Sequence, residues 1–470
     1  MKVGGDVAEY LKRRVKVLVA IITASMYFFQ PSFGQSDGWE KLPGFKLLRS
    51  EEDYSILKHD SVQNGFVKRL KYIPLRKENY LTLGGESRSE FQILRNEDWQ
   101  AQNHDEALFQ RLMVHADLQL GAPIRIFTQL KSGLVVGRNG MASPLNEERL
   151  DLHQFFVGLN IGPSTLEIGR RELSYGSQRL LSVREGTNIR QSFNGLRWIF
   201  RQANAQLDVL LYAYNPQQIG WFDEGIDTDR LLWGMYWTGL KGGSEAANLD
   251  IYYLGVRNKE GAFEEGRLEE WRHSIGARYW ATIKRFRTNT ELVVQAGTFG
   301  EGDIFAWTLS TENYYRLTEW WKVTLGIKAE IVSGDERQGD GDLQTFNPLY
   351  PRGGYFGLLA LVGPANLMDI HPSLHLSIDK KWQLNLDWDF FWRHQLADGV
   401  YFPSGRINVA GNASQERFIG HQPGLQLAYA VNRFFELETS YFLFFPGHFL
   451  KEVSGNEIFT QFGFSMSLKF

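Results

Sequence analysis

The chain has 470 residues, with 51 Lys and Arg against 54 Asp and Glu, no cysteine, 47 glycines, 14 prolines and 14% aromatic residues. A net formal charge of −3 argues against a general nucleic-acid binder, and without cysteine the fold holds together without disulfides. Beyond the first thirty or so residues no run reaches the length of an apolar membrane helix, so a membrane is open to this chain only as a closed barrel, where strands satisfy every backbone group in lipid.

The N-terminus addresses the chain for export. Lys12, Arg13, Arg14 and Lys16 close a basic stretch, residues 17–29 are uncharged and mostly apolar, and Ser32, Phe33 and Gly34 offer small residues at the cleavage positions. This reads as a secretory signal peptide over 1–34, since the run is shorter than the roughly 20 residues a spanning helix needs. The leader carries five Lys and Arg and two Asp and Glu, so its removal moves the formal charge from −3 to −6. Residues 35–79 alternate poorly and are expected to form a periplasmic lead-in that folds against a barrel mouth.

From residue 80 onward the period is two. Strands are expected near 80–94, 108–120, 124–136, 149–160, 164–173, 192–202, 205–214, 229–240, 247–257, 268–281, 286–299, 304–315, 321–333, 371–380, 383–394, 420–430, 433–445 and 457–470. In the last of these, Ile458, Phe462, Phe464, Met466, Leu468 and Phe470 share one parity and Gln461, Gly463, Ser465, Ser467 and Lys469 the other. One face suits lipid and the other water. Leu384, Leu386, Trp388, Phe390 and Trp392, and again Val323, Leu325, Ile327, Ala329 and Ile331, repeat the pattern. Connections after even-numbered strands are mostly tight, whereas 174–191, 334–370 and 395–419 after odd-numbered strands are long. Tight periplasmic turns and long outer loops are the asymmetry of an outer-membrane barrel, so one barrel domain of eighteen antiparallel strands is expected over 80–470, in the bacterial outer membrane, with both termini periplasmic.

The polar parity then lines the lumen. It carries Glu86, Arg88 and Glu90, then Arg111, His115 and Asp117, then Arg125 and Lys131, then Asp151 and His153, then Arg197 and Arg201. Both signs are present, so pairing that only stiffens the interior competes with a role in transport. A channel for anions needs a ring of unpaired cations at a constriction, a role that suits arginine because its planar fork matches a carboxylate and never deprotonates. The densest arginine lies in LEIGRRELSYGSQRLLSVREGTNIRQSFNG, residues 166–195, which holds five arginines and no lysine. Part of the long loop within it is expected to fold into the lumen.

That segment, with HADLQLG, FTQLKSGL, DLHQFFVGL, SGDERQGDGDLQTFNPLYPRGGYFG and FFPGHFL, resembles the alginate export family of outer-membrane barrels. The resemblance covers most of the chain after the leader. It implies an eighteen-stranded barrel that passes alginate, or a related anionic polysaccharide, through an arginine-rich constriction. It places Arg170 at the family's Gly-Arg pore position and Arg393, in FFWR, at a basic position on a late strand, while Arg171 departs from the family's usual Gln. Strict alternation from Leu166 and Ile168 would send Arg170 to lipid and Arg171 to the lumen, so either the strand is already near the interface or a bulge at Gly169 flips the phase; the bulge is expected, because Leu173 would then also face lipid.

The expected pore-lining set is Arg88, Arg111, Lys131, Arg170, Arg179, Arg184, Arg190, Arg197 and Arg393, with Arg170, Arg179, Arg184 and Arg190 forming a cation funnel. Asp335, Asp340 and Asp342 lack the spacing of a calcium loop and read as a solvated turn. No nucleophile motif, metal set or cofactor site emerges, so neither an enzyme nor a metal is expected. The expected partners are the anionic polysaccharide, outer-membrane lipid and periplasmic polysaccharide-export proteins. The same arginines would serve an uptake porin for acidic oligosaccharides or carboxylates, and long loops would also suit an adhesive barrel.

Overall fold

The structure, a computed structural model, describes residues 43–59, 66–240, 247–357 and 359–470. The expected signal peptide at 1–34 lies outside these residues. Eighteen strands form the wall: β1 Tyr80–Arg95, β2 Asp105–Leu120, β3 Ile124–Val136, β4 Glu148–Ile161, β5 Ser164–Arg171, β6 Phe193–Gln202, β7 Ala205–Tyr214, β8 Asp227–Leu240, β9 Ala247–Phe263, β10 Gly266–Ile283, β11 Phe286–Phe299, β12 Gly302–Arg316, β13 Thr324–Val332, β14 Leu367–Ser377, β15 Trp382–Arg393, β16 Phe418–Ala430, β17 Phe435–Pro446 and β18 Phe459–Lys469. Each pairs antiparallel with its sequence neighbours. β18 pairs back onto β1 from Glu86↔Lys469 to Arg95↔Thr460, so the sheet closes and no wall strand is left at an edge.

Each expected strand maps onto one observed strand, with ends displaced by a few residues. The faces read from the alternation hold as well. Leu325, Ile327 and Ile331 of β13, Trp388 of β15 and Phe462 and Phe464 of β18 are exposed on the outer surface, where lipid takes the place of a packed core. Aromatic residues gather at both ends of this face. Trp320 stacks on Trp321 and Trp382 on Tyr429 at the short-turn end, while Trp392 meets Phe418 near the long loops, as interfacial girdles do.

The interior is far from empty. The segment 43–59 enters the short-turn mouth, with a short helix, α1 Phe66–Lys71, beside it. At the other end, residues 172–192, 333–366 and 394–417 and a second helix, α2 His448–Val453, bury Leu180, Leu181, Phe346, Phe449 and Leu450 against wall residues such as Tyr212, Phe391 and Phe444. This apolar cluster plugs the long-loop half of the barrel much as a core fills a soluble domain.

Two local features set the phase of the wall. In β4 the pairing jumps from Gln129↔Gln154 to Leu130↔Leu152, so His153 is the extra residue of a bulge and both Asp151 and Gln154 are buried. In β5 the expected bulge at Gly169 is absent: Phe155↔Arg170, Phe156↔Gly169 and Val157↔Ile168 run without a shift, as do the partners on β6. Gly169 sits at φ +136°, and a Cβ there would lie 2.2 Å from the Phe155 carbonyl oxygen. The glycine therefore lets neighbouring backbones approach closely without changing the phase.

Candidate functional site: a guanidinium cradle in the lumen

After Arg171 the chain leaves the wall and turns inward. Asn188 Nδ2 donates to the carbonyls of Gln110 at 3.2 Å and Asn146 at 2.8 Å. Leu180 and Ser182 exchange backbone hydrogen bonds with Tyr350 of the 333–366 loop, both at 2.9 Å. Leu173, Val183 and Ile189 are fully buried, so the 172–192 segment packs inside the barrel, and Leu173, expected to face lipid, is enclosed instead because the strand has already ended at Arg171.

At the tip of this segment one carboxylate meets three guanidiniums. Glu185 bonds Arg111 at short range, lies 3.2 Å from Arg190 Nε and 3.7 Å from Arg88 Nη1. Arg88 also donates to the carbonyls of Glu185 and Thr187, each at 3.1 Å. Behind them, Glu86 accepts from Arg111 Nη2 at 2.6 Å and Glu172 from Arg190 Nη2 at 3.2 Å. Burial alone would raise the Glu185 carboxyl, but Arg111, Arg190 and Arg88 hold it well below the usual carboxylate range. Arg88 also lies 3.8 Å from Glu90, so three cations face three carboxylates of the surroundings, and the loop adds Glu185, the least enclosed of the four acids.

The remaining expected residues do not join this cluster into one ring. Lys131 sits 2.5 Å from Glu224. Arg179 reaches the opposite wall, where it pairs with Glu330 at short range, lies 3.7 Å from Glu291 and stacks over Tyr355 at 4.0 Å. Arg197 pairs with Asp208 at 2.5 Å. Arg184, half-buried at φ 54°, has no ion pair among the described residues. Arg393 is completely enclosed: its guanidinium donates to the carbonyls of Leu396, Gly411, Ser414 and Glu416 and lies over the Phe449 ring at 4.2 Å. It therefore organises the 394–417 loop instead of facing open lumen in this state. Of the four arginines expected to form a funnel, only Arg190 reaches the cradle: Arg170 is held on the end of β5 by Asp151 and Glu224, and Arg179 crosses to Glu330 on the opposite wall.

The Arg170 and Arg171 question resolves with the missing bulge. Arg171 faces inward, over Phe156 at 5.0 Å and paired with Glu167. Arg170 shares the face of Ile168 and Phe155, yet it stands at the end of β5. There it avoids lipid by bonding Asn194 at 2.9 Å, the Leu152 carbonyl at 2.8 Å and Glu224 at 3.2 Å. Asp335 and Asp340 each accept the backbone N–H two residues on; Asp340 and Asp342 are exposed as a solvated turn requires, but Asp335 is buried, its own N–H donating to Asp398, so the solvated reading is corrected there.

Sequence reading also missed residues that matter. Nothing in the sequence around Glu185 says that Arg88 and Arg111, far off in the chain, converge on it with Arg190. At the short-turn mouth a cavity of about 530 Å³ is lined by Lys46, Glu51, Arg125, Arg171, Arg197 and Arg201, among others. That lining, which also includes the acids Glu52, Asp53 and Glu167, is gathered from several separate segments, which no spacing reveals.

A closed, two-faced barrel of eighteen strands with a charged and loop-filled lumen is an outer-membrane channel. The alginate export family model matches residues 79–463, and the chain belongs to that family. Its fold is similar to that of OpdK from Pseudomonas aeruginosa, at 12% identity and a TM-score of 0.59 over 83% of this chain and 98% of that one. It is also similar to OccK2 (OpdF) of Pseudomonas aeruginosa in complex with glucuronate, at 11% identity and a TM-score of 0.54 over 83% and 96%. A BenF-like porin from Pseudomonas fluorescens Pf-5 follows, at 11% identity and a TM-score of 0.55 over 83% and 99%. No curated protein matches the chain.

Proposed function

We propose that this channel exports an anionic polysaccharide, alginate or a similar polyuronate, and that Arg88, Arg111 and Arg190 are its carboxylate-binding seat. The observation that carries this reading is Glu185: a carboxylate already occupies the seat, supplied by the loop. Uronate carboxylates arriving along a chain would compete with it one after another, each exchange replacing one charge-assisted pair by another. Such a near-balanced exchange lets a polymer bind firmly enough to enter and weakly enough to move on. Arg171, Arg197 and Arg201 in the short-turn cavity would collect the polymer on the periplasmic side, where export proteins deliver it. Lys131, Arg170, Arg179 and Arg393 then serve as the frame that holds wall and loops in place.

A second reading, uptake of small carboxylates, is favoured by the fold neighbour in complex with glucuronate. Planar-bilayer recordings separate the two. For export, wild-type current is anion-selective and blocked by long polyuronate at much lower concentration than by the monosaccharide, with the block weakening in high salt. Glu185→Gln lowers the half-blocking concentration by about tenfold or more, equivalent to about 1.4 kcal/mol, and Arg111→Ala with Arg190→Ala raises it. Equal block by monomer and polymer favours uptake. Cation-selective current, or block indifferent to all three substitutions, refutes the seat.

A further inference from the structure

A second charged cluster lies at the long-loop rim, where β5 has already ended and the wall beside β4 needs another neighbour. The loop between β7 and β8 supplies it. Arg149 N donates to the Ile219 carbonyl at 3.2 Å and Phe222 N to the Leu150 carbonyl at 3.0 Å, so Leu150 and Trp221 form a parallel bridge. Just past that bridge, carboxylate oxygens of Glu148, Asp151 and Asp223 all lie within 4.8 Å of one another.

The surrounding charges do not balance these acids. Lys131 and Arg170 are the cations at hand, and both also serve Glu224: Lys131 lies 2.5 Å from Glu224 and 3.9 Å from Glu148, and Arg170 lies 3.2 Å from Glu224 and 3.4 Å from Asp151. Four carboxylates face two cations, so two negative charges are left over. Glu148 is the second, independent observation. Its side chain is fully enclosed, and neither of its oxygens accepts a hydrogen bond. A buried carboxylate with no donor is costly unless a cation satisfies it.

We propose that Glu148, Asp151 and Asp223 bind one divalent cation of calcium size. With Ca²⁺–O distances of about 2.3–2.6 Å, ligand oxygens on opposite sides of the ion stand about 5 Å apart, so the observed cluster closes on one ion with little movement. The ion's two charges match the two left over. Asp223 is exposed, which gives the ion a path from outside and leaves its remaining positions to water. Bound there, the cation staples the 215–226 loop to β4 and seals the wall beyond the end of β5.

Terbium luminescence tests this in the full chain in detergent micelles after chelator treatment. Trp221, two residues from Asp223 and paired across to Leu150, is placed to sensitise a bound Tb³⁺. Saturable emission excited through tryptophan is expected, displaced by Ca²⁺, with affinity at least tenfold weaker in Glu148→Gln and in Asp223→Asn. Trp221→Phe is expected to dim the emission while calorimetry shows Ca²⁺ binding retained, and Asp340→Asn to change nothing. Because Asp223 is on an exposed loop, its substitution spares folding. Absence of saturable binding, failure of Ca²⁺ to displace Tb³⁺, or full affinity in Asp223→Asn overturns the proposal.

Discussion

Arg49 Nη2 donates to the carbonyl oxygen of Phe470 at 2.8 Å, while its Nη1 donates to Gly85 at 3.0 Å. Gly85 and Phe470 themselves exchange backbone bonds across the seam between β1 and β18. One guanidinium thus ties the segment ahead of the barrel to the point where the barrel closes. The same side chain pairs with Glu52 at 2.7 Å, both almost fully buried. Arg49→Ala breaks this buried pair, a change that costs about 3–5 kcal/mol, with the Lys46 N–H and the Tyr54 hydroxyl left donating to Glu52. A clear fall in the temperature at which the barrel loses its compact, fast-migrating band on a denaturing gel is expected, and an unchanged temperature contradicts it.

Lys71 gives the fold a pH dependence of its own. Its Nζ is buried without a hydrogen-bond acceptor, over the Tyr54 ring at 4.8 Å. Burial, then Arg49 and Arg433, push the ammonium down to about 7, against the pull of Glu52. The unfolded chain holds this proton to about pH 10.4 and the folded one releases it near 7, so between those limits the unfolded state binds more protons. Stability from this group therefore rises with pH, by at most about 1.4 kcal/mol per unit. Lys71→Met is expected to raise the unfolding temperature at pH 6 and to do so less at pH 10. An equal shift at both pH values counts against it.

Arg393→Leu removes the donor that four loop carbonyls share. The wall pairing of β15 with β14 and β16 is independent of that side chain, so the barrel is expected to assemble and keep its resistance to denaturant. Proteolysis within 394–417 is expected to accelerate at least tenfold, because buried carbonyls left unpaired cost about 1–3 kcal/mol each. Unchanged cleavage argues that the loop is held by other contacts.

Gly169→Ala tests the close approach of β5 to β4. A Cβ would meet the Phe155 carbonyl oxygen at 2.2 Å, at a φ that alanine rarely adopts. Gly162→Ala also carries a positive φ but has open space, so it costs only about 1–2 kcal/mol. The expected order of unfolding temperatures is wild type, then Gly162→Ala, then Gly169→Ala well below. Reversal of the last two contradicts the crowding.

Much of the wall was legible because its physics is local. Alternation at period two reports which side chain meets lipid, and Leu325, Ile327, Ile331, Trp388, Phe462 and Phe464 are exposed as it requires, whereas Leu468 is buried against Phe434. Loop length sorts the two ends for the same reason. The lumen obeys long-range rules instead. Glu185 finds Arg111 and Arg88 across 74 and 97 residues of sequence, and Arg179 crosses the barrel to Glu330. Composition shows that arginines are plentiful there but not which acid each one meets. The Gly169 expectation failed for a related reason: periodicity alone could not see that β5 stops at Arg171, where an outward arginine is taken up by Asn194 and Glu224 and needs no change of phase.

The apolar packing of Leu180, Leu181, Phe346 and Phe449 inside the long-loop half has a thermodynamic consequence. Any widening of the passage there must move these side chains from contact with Tyr212, Phe391 and Phe444 into water. Hydrating apolar surface raises the heat capacity, so the equilibrium between closed and conducting states is curved in temperature, and plots of open probability against inverse temperature bend where a simple electrostatic latch would give a line. In this barrel the permeation path and the folding of its loops share one free-energy surface, and anything that passes the long-loop half must first do work against a hydrophobic core.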